Sequence, residues 1–276
     1  MSETTHSTPE DAPARPVPRW ASVPPPPRCP DDWHTGPPDF VGVGAQRCGT
    51  TWWWRGAIRQ HPDVVRVGGL GKELHYFDQF WNGEVPEDFI ERYHEYFPRP
   101  EGKKTGEWTP RYMHDYWSLP LLRQAAPETR ILVTLRDPVD RFRSGLGREL
   151  RMAERDGREV ELNELADAMN RGYYSEQIRR LFEIFPREQV LILQLERCRD
   201  QPEAELRRTW EFLGLDTSVD SPERLFEHTK PSTPNPELTN AMRSELTERY
   251  REDVLRLSEL CPEIDPALWR NFADAG

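Results

Sequence analysis

The sequence predicts a three-layer α/β fold in which a central parallel sheet is flanked by helices. Three short apolar runs, at 40–44, 130–135 and 189–194, have the length of strands, and a segment with helical spacing follows each of them. The run at 130–135 is apolar enough to be buried on both faces, as strands of parallel sheets are. Strands that alternate with helices form βαβ units, and the ligands of such sheets bind beyond the carboxyl ends of the strands.

The remaining elements follow from helical spacing and from Gly and Pro signals. The first helix is predicted from Thr50 to Gln60, because His61-Pro62 stops it. Two further short strands are predicted at 63–67 and 104–108. Further helices are predicted at 119–126, 138–155, 173–185, 202–213 and 236–260.

The composition excludes several classes of partner. The chain has 276 residues and a formal net charge of -11, from 48 Asp and Glu against 37 Lys and Arg. A field of that sign repels phosphate at long range, so nucleic acid and anionic lipid are not expected as partners. No stretch is apolar and long enough to cross a bilayer, so no membrane association is expected either.

The first 38 residues form a segment rich in proline. It contains a run of four prolines at 24–27 and no apolar core of a secretory signal. Such a segment buries too little apolar surface to offset the entropy of ordering it. The sequence therefore predicts a disordered leader at 1–38 and one domain at 39–276.

The cysteines show neither a C-x-x-C pair nor the spacing of metal ligands. They are interpreted as reduced thiols of a cytoplasmic protein without a metal site, and a structural zinc or a disulfide is the alternative. The four are Cys29, Cys48, Cys198 and Cys261.

The segment between the first strand and the first helix has the character of an anion-binding loop. In Gly44-Ala45-Gln46-Arg47-Cys48-Gly49-Thr50-Thr51, a glycine-containing turn and a helix N-terminus present several backbone N–H groups. The spacing of the two glycines is that of the nucleoside-triphosphate loop G-x-x-x-x-G-K-[ST], but Thr50 stands in the place of the lysine. The basic residue is Arg47, inside the loop. This pattern favours a 5′-phosphate with its sulfate, bound without Mg²⁺, over the triphosphate of a kinase.

From Gln46 to Trp52 the loop resembles the 5′-phosphosulfate loop of sulfotransferases that use 3′-phosphoadenosine 5′-phosphosulfate (PAPS). The resemblance implies a P-loop-like fold with PAPS as co-substrate, and Trp52 stacked on the adenine. Arg47 stands where the family more usually has lysine, and the resemblance gives it the catalytic role of stabilising charge on the leaving phosphate. The loop residues implied to bind the co-substrate are Arg47, Cys48, Gly49, Thr50, Thr51 and Trp52.

A second motif follows the strand at 130–135. In Arg136-Asp137-Pro138-Val139-Asp140-Arg141-Phe142-Arg143-Ser144, an ordinary strand-to-helix turn accounts for Asp137 as N-cap and for Pro138 in the first helical turn. It does not account for Arg136 at the ligand-binding end of the strand. The segment resembles the family's 3′-phosphate site, R-[DN]-P-x-x-R-x-x-S. The resemblance implies that Arg136 binds the 3′-phosphate bidentately and that Ser144 donates a hydrogen bond to it.

The segment Lys72-Glu73-Leu74-His75-Tyr76-Phe77-Asp78 is dense in ionisable and aromatic residues. Glu73 and His75 are two apart, so in an extended chain their side chains point the same way. A carboxylate and an imidazole so placed suit removal of a proton from an acceptor hydroxyl. The segment resembles the K-E-x-H-[FY]-F stretch of the heparan sulfate sulfotransferase-like branch. That resemblance implies Glu73 as general base, with His75 as its assistant or as an alternative base.

The segment from Gly106 to Tyr112 resembles the E-K-[ST]-P-x-Y stretch of the same branch, but Trp108 replaces its lysine. Lys72 and Arg111 are the candidates to supply the missing charge. The tryptophan is predicted to form an aromatic wall for an apolar or planar acceptor. The resemblance covers roughly residues 40–215, and the loop at 230–234, where other members carry a second cofactor-binding segment, shows no basic-glycine motif.

The predicted function is in-line transfer of a sulfuryl group from PAPS to a hydroxyl or amine of a small-molecule or glycan acceptor. The acidic charge argues against a long polyanionic sugar. A P-loop nucleotide kinase is one alternative, and a non-catalytic nucleotide-binding relative is the other. The sequence leaves open whether the chain is a monomer or a homo-oligomer.

Overall fold

The computed structural model describes residues 23–66, 71–227 and 235–274. The strands are β1 (Phe40–Gly44), β2 (Gly106–Trp108), β3 (Arg130–Leu135) and β4 (Val190–Gln194). The first helices are α1 (Thr50–Gly56), α2 (Phe89–His94), α3 (Ser118–Ala125), α4 (Pro138–Arg155) and α5 (Leu162–Asn170). They are followed by α6 (Tyr174–Ile184), α7 (Leu195–Asp200), α8 (Pro202–Leu213) and α9 (Asn240–Leu260).

The strands form a parallel sheet in the order β2-β1-β3-β4. Phe40 pairs with Arg130, and Ile131 pairs with Val190, so β3 lies between β1 and β4. The carboxyl ends of β1 and β3 are therefore neighbours. Because the two predicted anion-binding motifs follow these strands, the sheet brings them to the same edge.

Helices cover both faces of the sheet, because the strand side chains alternate between two apolar clusters. Along β3, Ile131 and Val133 belong to the first cluster and Leu132 to the second. Helices α3, α4, α6 and α9 contribute to the first cluster, while α1 and α8 contribute to the second. This confirms the predicted three-layer fold with a central parallel sheet.

The three consecutive tryptophans of α1 are all buried in the second cluster. They fan around the helix and find partners on three different elements. Trp52 Nε1 donates to the Leu225 carbonyl at 3.0 Å, and Trp53 Nε1 donates to Thr209 Oγ1 at 3.2 Å. The Trp54 ring lies against Phe40, with ring centroids 6.0 Å apart.

Several predicted elements differ from the observed ones. The helix predicted at 50–60 ends at Gly56, and a separate 3₁₀ turn covers Ile58–Gln60. The strand predicted at 63–67 is a single bridge between Val64 and Lys104, and Val67 lies outside the described residues. Helices α2, α5 and α7 were not predicted, because each is short and its apolar spacing is interrupted by polar residues.

Trp108 does not form the predicted wall of an acceptor site. It is fully buried in the second cluster, and its Nε1 donates to the Gly44 carbonyl at 3.2 Å. The alternation along β2 decides this, because it turns Glu107 to one face of the sheet and Trp108 to the other. The indole lies across Gly42 of β1, where an added Cβ would come within 2.1 Å of the ring.

The described part of the leader contacts the domain. The Tyr96 hydroxyl donates to the Pro24 carbonyl at 2.6 Å, and His34 and Arg99 exchange two backbone hydrogen bonds at 3.0 Å. The boundary at residue 38 stays a prediction. No helix within the three described ranges combines the length and the apolar character needed to cross a membrane.

The contact between Gly42 and Trp108 gives a test of the sheet packing. We expect Gly42→Ala to lower the free energy of unfolding by about 2 kcal/mol or more, because the new methyl group would overlap the rigid, buried indole ring of Trp108. Urea denaturation measures this change. Gly36→Ala is the control, since its Cβ would meet only Arg99 Nη2 at 3.9 Å. Equal unfolding midpoints for the two variants would contradict the packing described.

Candidate active site

The two predicted anion-binding motifs meet at the carboxyl ends of β1 and β3. Arg47 Nε donates to Ser144 Oγ at 3.1 Å, although the two residues are 97 positions apart. Arg136 Nη1 donates to the Arg47 carbonyl at 3.4 Å. The structure thus brings together three of the residues that the sequence assigned to two separate phosphate sites.

The loop after β1 has a tightly constrained backbone. The Ala45 N–H donates to the Thr134 carbonyl at 2.9 Å, which ties the start of the loop to β3. Arg47 and Gly49 have φ values of 68° and 79°, in the left-handed region. At Gly49 a side chain is also excluded by space, because a Cβ would lie 2.4 Å from Leu195 Cδ1. The glycine therefore allows the chain to turn directly into α1.

Cys48 contributes its backbone, and not its thiol, to the loop surface. Its side chain is fully buried, and Sγ lies 3.5 Å from the Tyr174 hydroxyl, which in turn donates to the Arg136 carbonyl at 3.0 Å. Burial raises the pKa of the thiol to about 11, so it is neutral at physiological pH. All four cysteines of the chain are free thiols.

Several arginines lie close together around the loop. Burial lowers the pKa of the Arg47 guanidinium, and the nearby Arg151, Arg148 and Arg136 lower it further. Among the described residues, no carboxylate oxygen lies within 4.0 Å of the guanidinium of Arg47 or Arg136. The buried Arg136 Nε has no hydrogen-bond partner there. An unpaired buried charge is costly, so this arrangement favours binding of a multiply charged anion.

The turn that carries Arg136 is held by a buried aspartate. Asp137 Oδ1 accepts hydrogen bonds from two backbone N–H groups in the first turn of α4, at 2.9 and 3.3 Å, which confirms its predicted N-cap role. Its Oδ2 accepts from the Asn271 backbone at 3.1 Å and from the Asn271 amide at 2.7 Å. Sequence reasoning missed Asn271, because the two residues are 134 positions apart and a lone asparagine carries no motif.

Lys72 supplies a cation to the loop from another segment. Its Nζ donates to Thr50 Oγ1 at 2.9 Å and to Thr51 Oγ1 at 3.3 Å, and it lies 2.8 Å from Glu73 Oε1. Burial lowers the pKa of this ammonium, and the Glu73 carboxylate opposes that shift. A lysine therefore does lie at the start of α1, although it comes from residue 72 and not from the position of Thr50.

Glu73 and His75 face each other, but not for the reason given by the sequence. Glu73 Oε2 lies 3.2 Å from His75 Nε2, and Asp78 Oδ2 lies 2.7 Å from His75 Nδ1. The chain is not extended here, because His75 has a φ of 55° in the left-handed region. A turn, and not the alternation of a strand, therefore places the imidazole between two carboxylates.

The charges of this pair distinguish the two candidate bases. Burial opposes ionisation of both groups, but their mutual hydrogen bond and the neighbouring charges outweigh it. The pKa of Glu73 falls to about 2, through His75 and Lys72, and the pKa of His75 rises to about 9, through Asp78 and Glu73. At neutral pH the pair is a carboxylate and an imidazolium. Glu73 is then the unprotonated member of the pair, although Lys72 and His75 each engage one of its oxygens.

The structure gives less information on the other predicted site positions. Trp52 is buried and its indole N–H is occupied by the Leu225 carbonyl, so stacking on adenine stays a prediction. The loop at 230–234 lies outside the described residues. In the part of the chain that the structure covers, no three His, Cys, Asp or Glu side chains are grouped so as to hold a metal ion.

The chain is similar in sequence to several heparan sulfate sulfotransferases. Mouse heparan sulfate glucosamine 3-O-sulfotransferase 3A1 (Mus musculus) is 28% identical over 204 residues, which are 70% of this chain and 50% of that protein. Human heparan sulfate glucosamine 3-O-sulfotransferase 6 (Homo sapiens) is 28% identical over 184 residues, or 63% of this chain and 51% of that protein. The chain spans about half the length of the curated relatives it matches.

A solved structure and a family model agree with these relatives. The crystal structure of a sulfotransferase from Alicyclobacillus acidocaldarius superposes with a TM-score of 0.65 at 27% identity, and the match covers 84% of this chain and 98% of that one. The family model described as "Sulfotransferase domain" matches residues 37–253. These matches confirm the resemblance seen in the motifs: the chain belongs to the sulfotransferase family, with heparan sulfate sulfotransferases among its relatives.

Proposed function

We propose that the chain transfers a sulfuryl group from PAPS to a hydroxyl or amine of a small-molecule or glycan acceptor. The observation that carries this proposal is the convergence of Arg47, Ser144 and Arg136, which the sequence divides between a 5′-phosphosulfate loop and a 3′-phosphate turn. A nucleotide with phosphates at both ends of its ribose would supply the negative charge that these groups lack.

The donor would be held by charge and backbone donors. Arg136 and Ser144 would bind the 3′-phosphate, and the backbone from Arg47 to Thr51 would bind the 5′-phosphosulfate. The Lys72 ammonium, which contacts both threonine hydroxyls of the loop, would lie beside the sulfate. No step of this scheme requires a metal ion, because guanidinium and ammonium groups can balance the anionic charge.

The transfer would be an in-line displacement at sulfur. Glu73 takes the proton of the acceptor, and the acceptor oxygen or nitrogen forms a bond to sulfur. The bond from sulfur to the bridging phosphate oxygen breaks, and its electron pair stays on that oxygen. Arg47 stabilises the charge that develops there, and adenosine 3′,5′-bisphosphate leaves.

The acceptor is proposed only as a class. The names of the mouse and human relatives specify 3-O-sulfation of a glucosamine, which supports a hydroxyl over an amine. The net charge of -11 disfavours a long polyanionic chain. Transfer of labelled sulfate from PAPS to a panel of alcohols, sugars, phenols and amines would identify the acceptor.

The two alternatives differ in simple observables. A P-loop nucleotide kinase would bind ATP with Mg²⁺ in preference to the bisphosphate. A non-catalytic relative would bind adenosine 3′,5′-bisphosphate but transfer no sulfate to any acceptor of the panel. The presence of an ionised Glu73 beside Lys72 favours the enzyme over the second alternative.

Binding of adenosine 3′,5′-bisphosphate tests the donor site. We expect Arg136→Ala to weaken it by about 10- to 100-fold, because a bidentate bond between two charged groups is lost. Isothermal titration calorimetry measures the affinity. Arg155→Ala is the matched control, since it removes an exposed arginine at the far end of α4, the helix that follows Arg136. Equal affinities of the two variants, or no binding to wild type, would refute the proposed function.

Substitution of the proposed base tests the acceptor side. Glu73→Gln should lower kcat for sulfate transfer by about 10²- to 10⁴-fold, because the amide cannot accept the proton. The affinity for the bisphosphate should stay within about twofold of wild type. Glu101→Gln, at an exposed turn, controls for the loss of one negative charge. A Glu73→Gln enzyme with wild-type turnover would exclude Glu73 as the base.

The charge on His75 predicts a pH dependence of stability. Its pKa is raised from 6.5 to about 9 in the folded chain, so its contribution is complete below the unfolded value of 6.5. That contribution is lost as the pH rises through 9. We expect the difference in unfolding free energy between wild type and His75→Gln to shrink between about pH 7 and about pH 10. Urea denaturation at each pH measures this difference. A difference that stays constant over that range would contradict a charged His75.

A further inference from the structure

A buried carboxylate lies beneath the segment that carries Glu73 and His75. Glu107, on β2, is only 2% exposed, and it forms no ion pair among the residues that the structure describes. Its Oε1 accepts from the hydroxyls of Tyr93 and Tyr112, both at 3.0 Å. Its Oε2 accepts from Thr109 Oγ1 at 2.5 Å and from the Leu74 N–H at 3.1 Å. The carboxylate is thus satisfied by four neutral donors.

The Thr109 hydroxyl connects this carboxylate to the backbone of the acceptor segment. It donates its one proton to Glu107, so its lone pairs face the other way. There it accepts from the Leu74 N–H at 3.0 Å and from the His75 N–H at 3.2 Å. Tyr112 acts in the same manner, since it donates to Glu107 while its oxygen accepts from the Tyr76 N–H at 2.9 Å.

Three consecutive amides, from Leu74 to Tyr76, are therefore fixed by groups whose orientation Glu107 sets. The adjoining carbonyl of Lys72 accepts from the Trp108 N–H at 2.9 Å, which extends the contact by one more bond. The middle residue, His75, has a left-handed backbone that a non-glycine residue adopts only at a cost in free energy. A backbone of this kind persists where the surroundings determine it, and here the surroundings are the hydrogen bonds to Thr109 and Tyr112.

The left-handed turn is also what brings the reacting side chains together. The imidazole of His75 is flanked by Glu73 and Asp78, at 3.2 and 2.7 Å. The other charged groups at this place are Lys72, on Glu73, and Arg111, 3.8 Å from Asp78. If residue 75 returned to an extended conformation, the imidazole would leave the position between the two carboxylates.

We propose that the Thr109 hydroxyl, oriented by Glu107, is a positioning group that holds the His75 turn and so aligns Glu73 for proton removal. Neither residue touches the acceptor in this scheme, and both act through the backbone of 74–76. The role in catalysis rests on the proposed function, whereas the role in holding the turn does not.

Thr109→Val removes the hydroxyl and keeps the shape of the side chain. The position of the His75 imidazole is read from the pH titration of its Cε1–H proton in NMR spectra, assigned by its absence in His75→Gln. The pKa of His75 is raised to about 9 by its two carboxylate partners, so separation from Glu73 should lower it toward 6.5. We also expect kcat to fall about 10-fold or more, with bisphosphate affinity within about twofold of wild type.

Two controls separate positioning from general destabilisation. Thr109→Ser retains the hydroxyl and should restore the wild-type His75 titration and kcat. Thr209→Val removes another fully buried threonine hydroxyl, which accepts from Trp53 and donates to the Glu205 carbonyl on the opposite face of the sheet. It should lower the unfolding midpoint without changing the His75 titration.

A folded Thr109→Val protein with an unchanged His75 titration would overturn the proposal. If that variant does not fold, Glu107→Gln gives the second measurement. We expect it to lower the pKa of His75 as well, and an unchanged His75 titration in this variant would overturn the proposal. The two proposals fail differently. Wild type that does not bind adenosine 3′,5′-bisphosphate refutes the sulfotransferase function, but the His75 titration still decides whether Thr109 holds the turn.

Discussion

The adjacency of β1 and β3 in the parallel sheet is the constraint on which the candidate site depends. Each strand ends in a loop that carries an arginine, Arg47 after β1 and Arg136 after β3. Side by side, they share the contact between Arg47 and Ser144. Because the two strands are registered by backbone hydrogen bonds, the distance between the loops is set by the sheet and not by the loop side chains. Two of the helices also contribute directly, since α1 begins in the first loop and α4 carries Ser144.

Electrostatics divides the site into two halves of different character. On the predicted donor side, burial and neighbouring arginines lower the pKa of the Arg47 guanidinium, and neither Arg47 nor Arg136 has a carboxylate partner within the described residues. On the acceptor side, charges of both signs alternate from Lys72 through Glu73 and His75 to Asp78. The first half is suited to a ligand that brings its own negative charge. The second half is balanced by its own charges, because each cation there pairs with a carboxylate.

The convergence of Arg47, Arg136 and Ser144 was largely predictable, because these residues follow strands with strong apolar patterns and lie in compact motifs. The acceptor half was less so. The pairing of Glu73 with His75 was inferred from the alternation of a strand, whereas a left-handed residue produces it. Trp108 was assigned to the site because of its place in a motif, but the alternation of β2 turns it into the core. Contacts such as that of Asp137 with Asn271 join distant positions through single side chains, and no local pattern in one sequence encodes them.

The hydrogen bonds between the C-terminal segment and the turn after β3 determine where the chain can be truncated. The family match ends at residue 253, yet Asn271 and Trp269 lie beyond it. The Asn271 amide donates a hydrogen bond to Asp137 Oδ2. Trp269 Nε1 donates to Glu196, and the same carboxylate accepts from the Asp137 N–H at 3.2 Å. A chain trimmed to the family boundary would keep every residue of both phosphate motifs and lose the support of one of them. In this chain the residues that support the turn after β3 therefore extend beyond the end of the family match.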